Sequence, residues 1–167
     1  MNLISRLLRR YRHTAADVKE DEAAQQDLRG LDTRLAAAML AEIDIDTAIE
    51  AHQNWKIRLS NYLDGVSTED LRPELVCLDD RCELGRWLHG AGNARFGGYP
   101  IFSILIARHR MFHIQASTVI ALAQAGDRQR AMEALQGGYR HASQQVIVLL
   151  RELRKGVGLR PISENSK

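Results

Sequence analysis

The sequence predicts an all-α fold, an antiparallel helical bundle of the four-helix type with one short extra helix. Its composition is 45 % hydrophobic but only 5 % aromatic, with three prolines in 167 residues, which is typical of a helical protein that buries a core. Apolar side chains recur near the 3.6-residue helical period, and no segment alternates long enough to indicate a strand. The short turn at Gly126 and Asp127 favours antiparallel neighbours.

The chain divides into three predicted parts. Residues 1–29 are a basic N-terminal segment and linker, residues 30–155 the helical bundle, and residues 156–167 a flexible tail. Residues 1–12 interleave arginines with leucines, which is compatible with weak membrane-surface contact, with a partner-docking helix or with a frayed, solvated end. Because no apolar run reaches the roughly 18–20 residues of a membrane span and no signal peptide is recognisable, we expect a cytoplasmic protein.

Residues 31–63 carry the first helical pattern. We expect a joint near Asp44 that makes two helices of it, and Gly65 ends the second. Residues 64–81, which include Pro73, are predicted to be a connection. The apolar positions of the pattern are Leu35, Met39, Ile43, Ile45, Ile49, Ile57, Leu59 and Leu63.

A short helix is predicted next, because Cys82 precedes a helical heptapeptide that Gly90 closes. Residues 91–100 are rich in glycine and are predicted to be irregular. A long helix then begins near Pro100, since proline suits a first helical turn, and it ends at Gly126.

The last helix is predicted from Asp127, a residue type that caps helices, to about Lys155. Gly137 and Gly138 lie inside it and should weaken or kink it.

The net charge of +2 is too small to indicate nucleic-acid binding over the whole surface. Two cysteines, Cys77 and Cys82, form no disulfide framework, which favours a reducing compartment.

Four residues indicate a metal site: His52, Cys82, His109 and His113. His109 and His113 are four residues apart, so on a helix they lie on one face and can hold one ion. Cys82 and His52 would complete a set of nitrogen and sulfur ligands that suits zinc. Each residue alone has a plainer interpretation, because most histidines on helices are ordinary surface or core residues and most free cysteines are small buried hydrophobes. The other histidines are interpreted as surface residues: His13, His89 and His141.

The two cysteines are predicted to differ. Cys82 stands at a helix start, where backbone amides favour a thiolate. Cys77 follows Leu75 and Val76 and fits a buried small hydrophobe, with a resolving thiol for an oxidised Cys82 as the alternative. Trp55 and Trp87 lie near ligand positions and are expected to pack in the core, where they would keep water from a metal.

The arrangement resembles the chemoreceptor zinc-binding domain, called CZB. The resemblance covers residues 42–155 and rests on His52 before Trp55 and Lys56, on CELGRWL (82–88), and on the pair in HRMFH, with separations of 30, 27 and 4 residues between successive ligand positions. It implies a helical bundle that holds Zn²⁺ through three histidines and one cysteine. Family members often sit at an end of a chemoreceptor or a diguanylate cyclase. Neither has a signature here, so the expected output is through a chemoreceptor or cyclic-di-GMP signalling partner, or through a homodimer.

The expected function is therefore a regulatory zinc domain that responds to zinc availability or to oxidation of Cys82, as in chemotaxis signalling. No enzyme is expected, because four protein ligands leave no open position for water. A metalloenzyme would need a carboxylate base such as Glu50 or Glu83 beside an open metal. A di-iron bundle would need Glu-x-x-His motifs, which the sequence lacks. A metal-free helical interaction module is the remaining alternative.

Overall fold

The computed structural model describes residues 33–158, and every regular element in that part of the chain is a helix. The all-α helical bundle is thereby confirmed. The predicted contacts of residues 1–12 and most of the predicted tail lie outside the described residues. The elements in chain order are α1 (Thr33–Leu40), α2 (Ile45–Leu63), α3 (Pro73–Val76), α4 (Glu83–His89), α5 (Ala91–Phe96), α6 (Pro100–Gln124), α7 (Arg128–Ala134), a π-helical turn (Leu135–Tyr139) and α8 (Arg140–Gly158).

Local side-chain chemistry sets the helix boundaries. Asp44 separates α1 from α2 as predicted, and its carboxylate accepts a hydrogen bond from the Thr47 amide at 3.0 Å, which caps α2. Asp127 caps α7 in the same way through the Arg130 amide. Gly126, in the turn between α6 and α7, has a φ of 79°, a conformation that L-residues with side chains rarely adopt.

The core lies between the long helices. Helix α8 packs against α1, α2 and α6, and α7 packs against α6. Most of the apolar positions of the helical pattern in residues 31–63 are buried there, but Ile57 is 60 % exposed and lies outside the core. Ile57 is two residues before the fully buried Leu59, which turns its side chain to the opposite side of α2.

The prediction that residues 91–100 are irregular was wrong for Ala91–Phe96, which form α5. Phe96 explains the difference, because its buried ring packs 6.0 Å from Trp87 and 6.2 Å from Phe102, centroid to centroid. Gly92 allows this packing, since a Cβ there would lie 2.7 Å from the Trp87 ring. Tertiary contacts therefore override the weak helix propensity of this glycine-rich segment.

The final helix is interrupted where Gly137 and Gly138 predicted a weak point. Residues Leu135–Tyr139 form a π-helical turn, and α8 then continues to Gly158, beyond the predicted end near Lys155. A Cβ on Gly138 would approach the Gln115 side chain to 2.3 Å, so a small residue suits this contact with α6. None of the helices in residues 33–158 combines the length and hydropathy that a membrane crossing requires.

Candidate metal centre

Three of the four predicted ligands converge in the interior of the bundle. His52 comes from α2, and His109 and His113 come from successive turns of α6; they are 3, 0 and 4 % exposed. One ring nitrogen from each lies within 4.8 Å of the others. Residues so distant in sequence meet because α2 and α6 pack side by side. The geometry thus joins the His-x-x-x-His pair to the predicted third histidine.

Cys82 lies at the edge of this group of three. Its Sγ is 3.2 Å from Nε2 of His109, and it accepts a hydrogen bond from the Gly85 amide, also at 3.2 Å. Cys82 is the N-cap of α4, so the first turn of that helix aims the sulfur at α6. Gly85 is needed there, because a Cβ would lie 1.7 Å from the Asp79 carbonyl oxygen and 3.1 Å from Cε1 of His109.

Backbone carbonyls orient two of the imidazoles. Nδ1 of His52 donates a hydrogen bond to the Ala48 carbonyl one turn earlier at 2.6 Å, and Nδ1 of His113 donates to the Val76 carbonyl at 2.8 Å. A carbonyl oxygen can only accept, so each Nδ1 carries the proton and each Nε2 presents a lone pair. Metal-binding histidines are commonly oriented by such a second hydrogen bond. Sequence reasoning missed both carbonyls, although the Ala48 contact follows from its i−4 spacing.

Each of the three imidazoles has one ring nitrogen without a hydrogen-bonding partner. Within residues 33–158, the buried histidine nitrogens that lack one are Nε2 of His52, Nδ1 of His109 and Nε2 of His113. Buried polar atoms are nearly always satisfied, because each unsatisfied one costs about 1–3 kcal/mol. Three such nitrogens on neighbouring histidines are typical of a metal-binding site, because bonds to an ion would satisfy them.

Burial keeps all three imidazoles neutral. Loss of hydration, with a smaller contribution from neighbouring histidines, lowers the pKa of His52 to about 4 and that of His109 to about 2. Burial also lowers the pKa of His113, although its bond to Val76 partly opposes this effect. Neutral imidazole is the form that binds metal, so the ligand nitrogens are available at neutral pH without proton release.

The helix start favours the Cys82 thiolate as expected, through the hydrogen bond from the Gly85 amide, but burial has the larger effect in the protein without metal. Burial raises the pKa of the Cys82 thiol, and this effect outweighs the lowering by the Gly85 amide and by Arg86. The thiolate therefore needs a positive charge close to it. A divalent cation among the histidines supplies that charge and deprotonates a coordinating thiol.

The residues present fit zinc. Three neutral imidazoles and one thiol supply the nitrogen and sulfur donors that Zn²⁺ prefers in closed tetrahedral sites. The described residues that sequence reasoning left out of the site remain outside the histidine cluster. His89 pairs with Asp79 at 3.0 Å, and Cys77 donates its thiol proton to the Glu74 carbonyl oxygen at 3.4 Å. His141 is exposed on α8.

The two tryptophans have different roles. Trp87 is buried and its indole N–H donates to Glu42 at 3.1 Å, which ties α4 to the residues just before α2. Trp55 is partly buried, and the Arg58 guanidinium lies 4.0 Å above its ring. Core packing is confirmed for Trp87, whereas Trp55 only borders the core.

Without metal, the free energy of unfolding should decrease as the pH falls from about 6.5 to about 4. His52 and His109 stay neutral in the folded protein over this range but gain protons in the unfolded chain below their ordinary pKa of 6.5. Each of these two histidines should lower the free energy of unfolding by about 1.4 kcal/mol per pH unit below pH 6.5. Above pH 6.5 the full stability is present. Urea unfolding of chelator-treated protein measures the slope. A curve that stays flat between these pH values contradicts the neutral, buried histidines.

One protein-family comparison matches the chain. The model described as "Chemoreceptor zinc-binding domain" matches residues 52–120, a span that contains His52, Cys82, His109 and His113. No curated protein and no solved structure matches the chain.

Proposed function

The chain carries a chemoreceptor zinc-binding domain over residues 52–120, and from this premise we propose that it binds one Zn²⁺ through His52, Cys82, His109 and His113 and acts as a regulatory domain. The observation that carries the proposal is the cluster of three buried, unpartnered imidazole nitrogens with a thiol beside it. The signal is a change in zinc availability, or oxidation of the zinc-bound Cys82. The response passes to a partner protein or to a second copy of this chain.

We propose that the site does no catalysis. Three histidines and one cysteine fill the four positions of a tetrahedral zinc ion, and catalytic zinc keeps one position for water or substrate. The cluster of potential ligands within residues 33–158 contains no carboxylate. When bound, zinc would tie α2, α4 and α6 together, so its chemistry here is to link helices.

Zinc availability is better supported as the signal than direct oxidation of the metal-free thiol. Burial raises the pKa of the Cys82 thiol, and a protonated thiol is a poor nucleophile toward oxidants. In the zinc-bound form the sulfur is a thiolate, and its oxidation to a sulfenic acid would make it a poorer ligand. Both signals therefore act through the same zinc-bound state.

Phe112 connects the metal centre to the rest of the bundle. Its ring is fully buried and lies 4.7 Å from the ring of His52 and 5.3 Å from that of His113, centroid to centroid. On its other side it lies 5.5 Å from the ring of Tyr139. A shift of the imidazoles on metal binding would press on Phe112, because close-packed interiors transmit displacement.

Through Tyr139, Phe112 contacts the π-helical turn between α7 and α8. Tyr139 ends the π-helical turn, and its side chain is almost completely buried. Single π-helical turns inside α-helices occur frequently at functional sites. We propose that zinc occupancy alters the ordering of this turn and of α8, which begins directly after it, and that α8 carries the response to the partner or dimer surface.

Amide hydrogen exchange of the full chain with and without zinc tests the proposal. Zinc should slow exchange in residues 135–145 as well as around the ligands. A Phe112→Leu variant should bind zinc but lose much of the effect in residues 135–145, whereas Phe102→Leu, a buried aromatic that packs on Trp87, should keep it. Zinc binding without any change in residues 135–145 would contradict the regulatory route, and absence of zinc binding would contradict the function.

A further inference from the structure

A cavity of about 50 Å³ lies directly beside the histidine cluster. It opens between α2 and α4, and its inner end is formed by His52, Cys82 and His113. The unpartnered Nε2 atoms of His52 and His113 belong to these lining residues. The cavity therefore reaches ligand groups that are otherwise almost completely buried.

The outer end of the cavity is open to solvent. Four of the residues that line it are exposed on the surface, Asp44, Thr47, Ala51 and Glu83. Asp44 and Thr47 come from the start of α2, and Glu83 is the first residue of α4. The cavity is thus a cleft that joins the surface to the metal centre, with two carboxylates at its mouth.

The walls between the two ends are apolar and narrow. Ile43, Trp55 and Leu84 contribute side chains to them. The volume is sufficient for about three water molecules, since one needs roughly 15 Å³. A metal ion that has lost part of its hydration shell fits this space.

Among residues 33–158, tightly packed groups border other sides of the cluster. His109 and Phe112 are fully buried in α6, and the Val76 carbonyl of α3 covers His113 through its hydrogen bond. An ion arriving from these sides would have to separate packed helices. An ion that passes through the cleft between α2 and α4 leaves this packing intact.

We infer that this cleft is the route by which a divalent metal cation enters and leaves the site, and that it sets the rate of zinc exchange. This inference rests on the proposed function. The carboxylates of Asp44 and Glu83 raise the local concentration of cations at the mouth, and the apolar walls offer no ligand that would retain the ion on the way. The unpartnered histidine nitrogens are the first strong ligands it meets.

Obstruction of the mouth at Ala51 tests the route. Ala51→Leu and Ala51→Phe add apolar bulk at an exposed helical position, and Ala121→Phe does the same on α6 away from the cleft. Zinc release from the full chain is followed with a chelating dye in stopped flow, zinc uptake by mixing, and affinity by competition at equilibrium. We expect Ala51→Phe to slow uptake and release by about tenfold each, equivalent to ~1.4 kcal/mol of added barrier. Ala51→Leu should slow both by a smaller factor.

Because the same obstruction acts on entry and exit, the dissociation constant should stay unchanged in the Ala51 variants. Release should also be independent of dye concentration, because on this route the dye takes up zinc that has already left the cleft. Wild-type rates in both Ala51 variants overturn the route while leaving the proposed function intact. Faster release with weaker binding overturns it as well, because the substitution would then act on the ligands. A wild-type chain that binds no zinc overturns this inference and the proposed function together.

Discussion

Replacement of Cys82 by alanine is expected to weaken zinc binding by a factor of about 10³ or more, equivalent to ~4 kcal/mol. The substitution removes the sulfur ligand that lies 3.2 Å from His109 and leaves the Gly85 amide without its acceptor. Competition with a zinc-binding dye under reducing conditions measures the loss. Circular dichroism should show the same helix content, because Cys82 is a cap and not part of the fully buried core.

Cys77→Ala is the matched control for this experiment. The Cys77 thiol donates to the Glu74 carbonyl within its own turn and lies outside the histidine cluster. Its removal should leave zinc affinity unchanged. If Cys82→Ala binds zinc as tightly as the wild type, Cys82 is not a ligand, and if Cys77→Ala loses zinc, the ligand set has the wrong cysteine.

Replacement of His109 by leucine is expected to abolish tight zinc binding and yet stabilise the metal-free protein. His109 is completely buried and its Nδ1 has no partner, whereas leucine has a similar volume and no polar atom to satisfy. The metal-free variant should be more stable than the metal-free wild type by about 1–3 kcal/mol. Urea unfolding at pH 7.5 in the presence of a chelator measures the difference.

Zinc should make the wild type more stable than the His109→Leu variant, the reverse of the order expected without metal. At a free zinc concentration 1,000 times the dissociation constant, the wild type gains about 4 kcal/mol and the variant gains little. His141→Gln, a change at an exposed histidine of α8, should leave the zinc response of the wild type in place. A His109→Leu protein that is less stable than the wild type without metal would show that the imidazole is there for packing.

The helix boundaries were predictable because they depend on residues close in sequence. Asp44 and Asp127 cap the helices that follow them, and Pro100 begins the long helix α6. The α5 helix and the exposure of Ile57 were not predictable in this way. Both depend on which surfaces pack together, and Phe96 reaches Trp87 and Phe102 only in the folded bundle.

The candidate site was predictable in its residues and less so in its chemistry. The four-residue spacing of His109 and His113 and the helix start at Cys82 are local features, and the structure brings the two histidines to His52 and Cys82 to His109. The thiol's raised pKa was not foreseen, because it comes from burial by other elements. The Val76 carbonyl that orients His113 was missed for the same reason: it is 37 residues away in sequence.

The first measurement is the zinc content of the full, untagged chain, determined by plasma mass spectrometry after purification under reducing conditions. The histidine cluster with Cys82 predicts about one zinc per chain, retained through gel filtration. A chain that contains no zinc, and that takes up none on reconstitution with Zn²⁺ and a reductant, would contradict the account and leave a helical bundle with three unsatisfied buried imidazoles.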